Sequence, residues 1–418
     1  MSPSKTLTGR MAAAFIDSKL TILVMLAALA FGLWSVMTTP REENPQITMP
    51  AAGVRVFLPG ADPDEVEAKV ARPVEALINQ IEGVDHVWSV SEDSQVTVTV
   101  QFKVGEDKEA SLVKLADRIM SGRNQLPQEV VGPFIASADV DDVPVLALTF
   151  FSKTYDDEAL HRVAESVADR LMGLKDISTL SVIGGRAREL TVDVDPVCLE
   201  SFHLSMDAVK AAIAAANLAG PLGTVTDADT VTRVRLADFI AGAEDLKHLV
   251  VGVSPTGAAV HLSDVATISD GGTVTRTTAS RFAYGQADTH YDAADKAEYQ
   301  AVTLAVAKRK GSNAVVLCNT ALERLERMKG SVIPKGIGLE VTRNDGVKAD
   351  SAVNTLIEHL GIALVAVVSV TFFFLGWRPA VIVAVTVPLI LSITLGVVGI
   401  AGFTINRLTL YALIIALG

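Results

Sequence analysis

The order of hydrophobic and polar positions divides the chain into blocks. No charged residue occurs from Leu20 to Met37, and between Leu360 and Ile405 the one charge is Arg378. A helix rises about 1.5 Å per residue and a bilayer core is about 30 Å thick, so these blocks predict membrane helices over 20–38, 353–375 and 379–403. A further helix opens at Ile405 and covers roughly 21 Å up to Gly418. The chain is therefore expected to stop inside the membrane. Lys5, Arg10 and Lys19 flank the first block against one acid, Asp17. That positive flank predicts an uncleaved anchor with residues 1–19 in the cytoplasm and the following segment outside.

The polar block is periodic. A strand at Gly53–Leu58 leads through Pro59-Gly60 to an acidic helix start, Asp62-Pro63-Asp64-Glu65, whose charges suit the helix dipole. Val66, Val70, Val74, Leu77 and Ile81 line one face of that helix. Strands follow at His86–Val90 and at Gln95–Val104, where Val96, Val98, Val100 and Phe102 alternate with polar residues. A second helix over Asp107–Asn124 and a strand at Val130–Ile135 complete a βαββαβ unit, the split-βαβ or ferredoxin-like pattern. The pattern restarts about 93 residues later. Val145–Phe151, the acidic start Asp156-Asp157-Glu158 and Ile177–Ile183 repeat its first half. Its second half resumes only at Ala301–Lys308 and Asn313–Lys329. An insert of roughly 90 to 110 residues, enough for a small domain, separates the halves. It reads as strands at Glu189–Asp195, Val231–Leu236, Leu249–Val253 and Val265–Ile268, a helix at Met206–Ala216, and a long turn carrying Gly220-Pro221 and Gly223. The fold class is a membrane protein of α+β type.

Composition supports this segregation. Half of the residues are hydrophobic while 20% are charged, as in a membrane protein with a large aqueous part. A net charge of -12 argues against nucleic acid as a partner. Cys198 and Cys318 form no C-x-x-C pair and read as independent thiols. The seven histidines show no i, i+4 pairing, and the methionines form no cluster, so no metal site is expected. Gly184-Gly185 opens no phosphate-binding helix. Asp139, Asp141 and Asp142 read as a solvated linker. No nucleophile–base set is legible, so an enzyme is not expected, and no cofactor is implied.

One anchor, two ferredoxin-like units with the second interrupted, and a helical block together resemble the resistance-nodulation-division (RND) transporters, the inner-membrane permeases of tripartite efflux systems. Local matches carry the resemblance: Pro40-Arg41-Glu42-Glu43-Asn44-Pro45-Gln46-Ile47, Pro59-Gly60-Ala61, Leu126-Pro127, Gly376-Trp377-Arg378-Pro379 and Ile405-Asn406-Arg407-Leu408-Thr409-Leu410.

The resemblance implies porter subdomains over 47–135 and over 136–183 with 272–337, and a docking subdomain over 184–271. It implies a homotrimer or heterotrimer, joined through a hairpin containing Asn217, Gly220, Pro221 and Gly223, with a periplasmic adaptor, an outer-membrane channel, lipids and a small-molecule substrate as partners. It also implies a proton gradient as energy source. The acidic pair that would carry protons is expected just after Gly418, so this stretch alone is expected not to pump. A membrane-anchored, non-transporting interaction module is the rival expectation. Substrate-pocket candidates are Val143, Val145, Ser181, Ile183 and Thr303, against a competing reading as ordinary core. No phenylalanine is expected among them, since alternation sends Phe150 and Phe151 to opposite faces.

Overall fold

A computed structural model describes residues 18–42, 49–138, 142–218, 220–227, 230–236, 239–274, 278–291 and 298–417. Residues 1–17, expected in the cytoplasm, Glu43–Ile47 of the motif that begins at Pro40, Asp139, Asp141 and Gly418 lie outside the described residues. Helix α1 (Lys19–Thr38) is capped by Ser18, whose side chain accepts from Leu20 N.

The first unit is built on β1 (Ala51–Phe57) and a helix in three pieces: α2 (Pro63–Val66), a π turn (Glu67–Ala71) and α3 (Arg72–Ile78). Asp62 caps it by accepting from Glu65 N, as the acidic start predicts. Pro73 has no N–H and would clash with the carbonyl four residues back. The wider turn ahead of it, closed by Arg72 N on Glu67 O, relieves that conflict. Next come β2 (Val84–Glu92), β3 (Gln95–Phe102), α4 (Lys108–Ser121) and β4 (Val131–Ala138). The sheet order is β2-β3-β1-β4. Val54, Val56, Val96, Val98, Val100 and Phe102 are all fully buried beneath the helices, so the period-two pattern sets which face is covered.

The second unit starts with β5 (Pro144–Ser152), α5 (Asp157–Leu171) and β6 (Ile177–Ile183). The insert follows: β7 (Arg188–Val194), α6 (Pro196–Phe202), α7 (Met206–Ala216), β8 (Gly220–Asp227), β9 (Thr230–Leu236), α8 (Ala243–Lys247), β10 (Val250–Val253), β11 (Ala259–His261), α9 (Leu262–Val265) and β12 (Ala266–Gly272). Its own core gathers Leu199, Val209, Leu246, Val251, Val260, Leu262 and Val265. One expectation fails here. Gly220, Pro221 and Gly223 lie in a strand, paired antiparallel to β9, rather than in a long turn. An isolated two-stranded hairpin has only edges, and an edge tolerates a proline that donates nothing.

The chain then returns to the interrupted sheet with β13 (Ser280–Phe282), β14 (Tyr299–Lys308), α10 (Ala314–Glu326) and β15 (Gly338–Asn344). The sheet has five strands: β13-β14-β5-β15, with β6 also on β14. Strand β15 extends this sheet beyond residue 337, the bound that the resemblance implies for the second subdomain. Asn344, whose side chain accepts from Val347 N, turns the strand straight into α11 (Asp345–Leu375), a helix of 31 residues. Helices α12 (Trp377–Ile400) and α13 (Arg407–Leu417) end the described chain. Helices α1, α11 and α12 are long and apolar enough to cross a membrane. Close approach holds α1 on α12: a Cβ on Gly32 would run into Ser392, and one on Gly396 into Phe31. Ser35 Oγ donates to Leu395 O at 2.8 Å, and small residues of this kind let membrane helices pack backbone to backbone.

Candidate functional site

Strand register divides the five-stranded sheet into a covered and an open face. On the covered face Leu146, Leu148, Phe150, Val302, Leu304 and Val306 are fully buried, in one cluster with Leu160, Val167 and Leu317 of α5 and α10. The opposite face follows from the pairs Thr303 with Thr149 and Ala305 with Ala147. Strand β6 brings Ile183 beside Thr303 and Ser181 beside Ala305. This side is open at β6, where Ile183 is 46% exposed, and closed at its centre, where Thr149 and Ala305 are each 5% exposed.

Its chemistry changes along β14. At the Tyr299 end stands an aromatic group. Phe151 stacks on Phe282 at 4.3 Å between ring centroids, with Tyr299 5.3 Å from Phe151 and Tyr284 4.9 Å from Phe282, edge-on. Lys153 Nζ lies 5.3 Å from the Tyr299 ring, within cation–π range. Burial pushes the Tyr284 phenol up, helped by the Glu340 charge, so it stays neutral. In the middle, Thr149 Oγ1 shares hydrogen bonds with Thr303 Oγ1 at 2.9 Å and Thr342 Oγ1 at 3.0 Å. Beyond lie small side chains and the exposed Ser181.

A turn pinned from below places Ile183, which is 46% exposed. His161 Nδ1–H donates to Gly184 O at 2.9 Å, which fixes the tautomer because a carbonyl only accepts. Arg186 grips Asp157 with two nitrogens at 2.9 and 3.1 Å, and that carboxylate pushes the guanidinium further up. Gly185, at φ +71°, leaves no room for a Cβ beside Asp157 O and Val302. The cavity beneath this turn, lined by Asp157, Ser280 and Gln300, is about 10 Å³. That is room for one water.

Of the five pocket candidates, the structure brings Ser181, Ile183 and Thr303 together on that face. Val143 stands just ahead of β5, 47% exposed. Val145 belongs elsewhere. The register slips between Val306 and Ala307, leaving Val145 unpaired opposite, and its side chain joins the helix-side cluster. The core reading holds for that residue. Phe150 is core, and Phe151, 9% exposed, stands on the Thr303 face in the aromatic group. Phe282 escaped sequence reasoning because a three-residue strand carries no periodicity, Tyr284 because it lies outside any strand, and Tyr299 because it stands ahead of Ala301, where the sequence pattern starts the strand. The hairpin residue Asn217 accepts from Ile240 N at 3.2 Å, tying together the two ends of β8–β9. Cys198 and Cys318 are unpaired, Cys318 buried.

A family model described as the AcrB/AcrD/AcrF family matches residues 11–418. The chain belongs to this family of RND permeases. Its members are transporters, not enzymes. The RND chain is 28% identical, over 401 residues, to multidrug resistance protein MdtC of Yersinia pseudotuberculosis serotype O:1b (strain IP 31758) and to that of Yersinia pestis bv. Antiqua (strain Angola). Each match covers 95% of the chain and 38% of the relative. The chain thus spans well under half the length of the curated relatives it matches.

Proposed function

We propose that this RND chain is the N-terminal part of a proton-driven inner-membrane permease that exports amphiphilic small molecules toward an outer-membrane channel. Residues 47–135 act as the first porter subdomain, 136–183 with 272–344 as the second, and 184–271 as the docking subdomain. The open face of the five-stranded sheet is one wall of the substrate cleft. One observation carries this: that face combines the partly exposed rings of Phe282, Tyr284 and Tyr299 with hydroxyls and small residues, and its edge strand continues without a break into a membrane helix. Aromatic and apolar walls with few polar groups are what a binding cleft for amphiphiles requires. Ser181, Ile183 and Thr303 line the cleft, and Val143 stands at its mouth.

The hairpin containing Asn217, Gly220, Pro221 and Gly223 reaches a neighbouring protomer of a homotrimer or heterotrimer, and an adaptor and channel complete the assembly. Proton coupling needs acids buried in the membrane. No Asp, Glu or Lys occurs from Gly361 to Gly418, so membrane helices outside this span supply the relay.

Dye accumulation in pump-deficient cells tests the reading. Residues 1–418 alone are expected to leave a fluorescent lipophilic dye at the empty-vector level. The same chain joined to the remaining helices of an RND permease lowers it, and an uncoupler restores it. Failure of the joined protein to lower dye overturns the export reading. Uncoupler-sensitive extrusion by residues 1–418 alone overturns the placement of the relay.

A further inference from the structure

Strand β14 ends in a charge with almost no solvent around it. Lys308 and Glu42 are 6% and 4% exposed, and Lys308 Nζ lies 2.5 Å from Glu42 Oε1. The two are 266 residues apart in sequence. Glu42 stands just past α1, at the centre of a junction. Its Oε2 accepts from Thr404 Oγ1 at 3.0 Å. Its N–H donates to Ile405 O at 3.1 Å, while Ile405 N–H donates to Pro40 O at 2.9 Å. Residues 40–42 and 404–406 thus run side by side. Asn406, 2% exposed, accepts from Thr409 N at 3.0 Å and locks this segment onto α13. Next to Glu42, Arg41 reaches the other way, to Asp350 Oδ1 at 2.9 Å and Asn354 Oδ1 at 3.3 Å on α11.

Stability does not explain such a pair. Desolvating two charges consumes most of what their attraction returns, and apolar residues of similar volume generally serve as well. What a buried pair adds is a fixed geometry between the groups that carry it. We infer that Glu42 and Lys308 are positioning residues: they tie the central strand of the open sheet to the membrane ends of α1 and α13. The sheet already has one attachment, where β15 becomes α11. One attachment is a pivot, whereas two fix an orientation. With the pair intact, the face bearing Thr303 and Ile183 turns together with the junction of α1, α11 and α13. The consequence for cargo rests on the export reading above; the tie itself does not.

The test uses the whole 418-residue chain in phosphatidylethanolamine–phosphatidylglycerol nanodiscs. Glu42→Gln and Lys308→Met each leave a buried partner unpaired. Each is expected to raise amide exchange about tenfold or more on both sides, over 303–308 and over 404–410. The double variant Glu42→Met with Lys308→Met removes both charges and is expected to melt as the parent does or higher. In it, spin labels at Thr179→Cys on β6 and Leu408→Cys on α13, in a Cys198→Ser, Cys318→Ala background, show a broadened distance distribution. A double variant that melts normally and keeps the parental distribution overturns the inference, because the pair then has no positional role. Single variants that disturb only the side they sit on overturn it as well. Dye export is no part of the readout, so loss of the export reading leaves this result standing.

Discussion

The two βαββαβ units share a strand order and differ in what is joined to them. In the first, β3 follows β2 through a tight turn in which Ser94 takes φ 64°. In the second, the connection from β6 to β14 carries the whole insert and β13. The pairing of β6 on β14 survives this interruption over Thr303–Lys308. Loop closure costs only about 0.6 kcal/mol for each doubling of loop length, so a self-contained insert barely weakens the host sheet. The exits differ too. Strand β4 runs out toward a linker, while β15 becomes a membrane helix. The same fold therefore serves once as a closed unit and once as a unit held to the membrane.

The largest test of this contrast removes a core ring from each sheet. Phe102→Ala and Phe150→Ala are each expected to cost about 3–5 kcal/mol. Hydrogen exchange should locate the Phe102→Ala damage in the first unit alone. Phe150→Ala should also loosen the first turns of α11, because β15 pairs with β5 at Phe150. Spread of the Phe102→Ala effect into β14 would break the comparison.

A matched glycine pair sharpens it. A Cβ on Gly338 would strike the ring of Phe151, whereas one on Gly53 meets nothing within 4 Å. Gly338→Ala should cost about 1–3 kcal/mol and weaken binding of an aromatic dye in a titration on the purified chain. Gly53→Ala should be neutral or stabilise by about 0.5–1 kcal/mol, read from thermal melting. Smaller again, Thr303→Val removes one of the two hydroxyl partners of Thr149 and should cost about 1 kcal/mol. Its melting should change little while the dye titration moves.

The smallest effect belongs to the insert. Arg188 holds the Asp270 carboxyl below its ordinary value by a two-pronged contact at 2.6 and 2.8 Å. On acidification the unfolded chain therefore takes up its proton first. The contribution is complete at neutral pH and disappears as pH falls through the folded-state value. Asp270→Asn should flatten the acid limb of a melting-versus-pH profile and leave the first unit unchanged.

Local rules were legible in the sequence. Asp62, Asp107 and Asp156 each cap a helix three residues ahead, as acidic helix starts suggest. Alternation in β3 marked its buried face, and the repeat exposed the interruption. What stayed hidden depends on contacts distant in sequence or on breaks in period. A bulge sends Val145 into the core. A proline reads as a turn but lies on a hairpin edge. The rings of Phe151 and Phe282 meet only because a three-residue strand docks across the insert. Glu42 and Lys308 look like unrelated surface charges until the fold brings them together.

Helix α11 rises out of β15 and runs 31 residues, about 47 Å at 1.5 Å per residue. That exceeds a hydrocarbon core of about 30 Å, so part of it stands clear of the lipid as a stiff lever arm. Tilting a rod of that length by about 10° swings its far end by about 8 Å. A modest rearrangement deep in the bilayer thus reaches the edge strand as a displacement as wide as a small ring system.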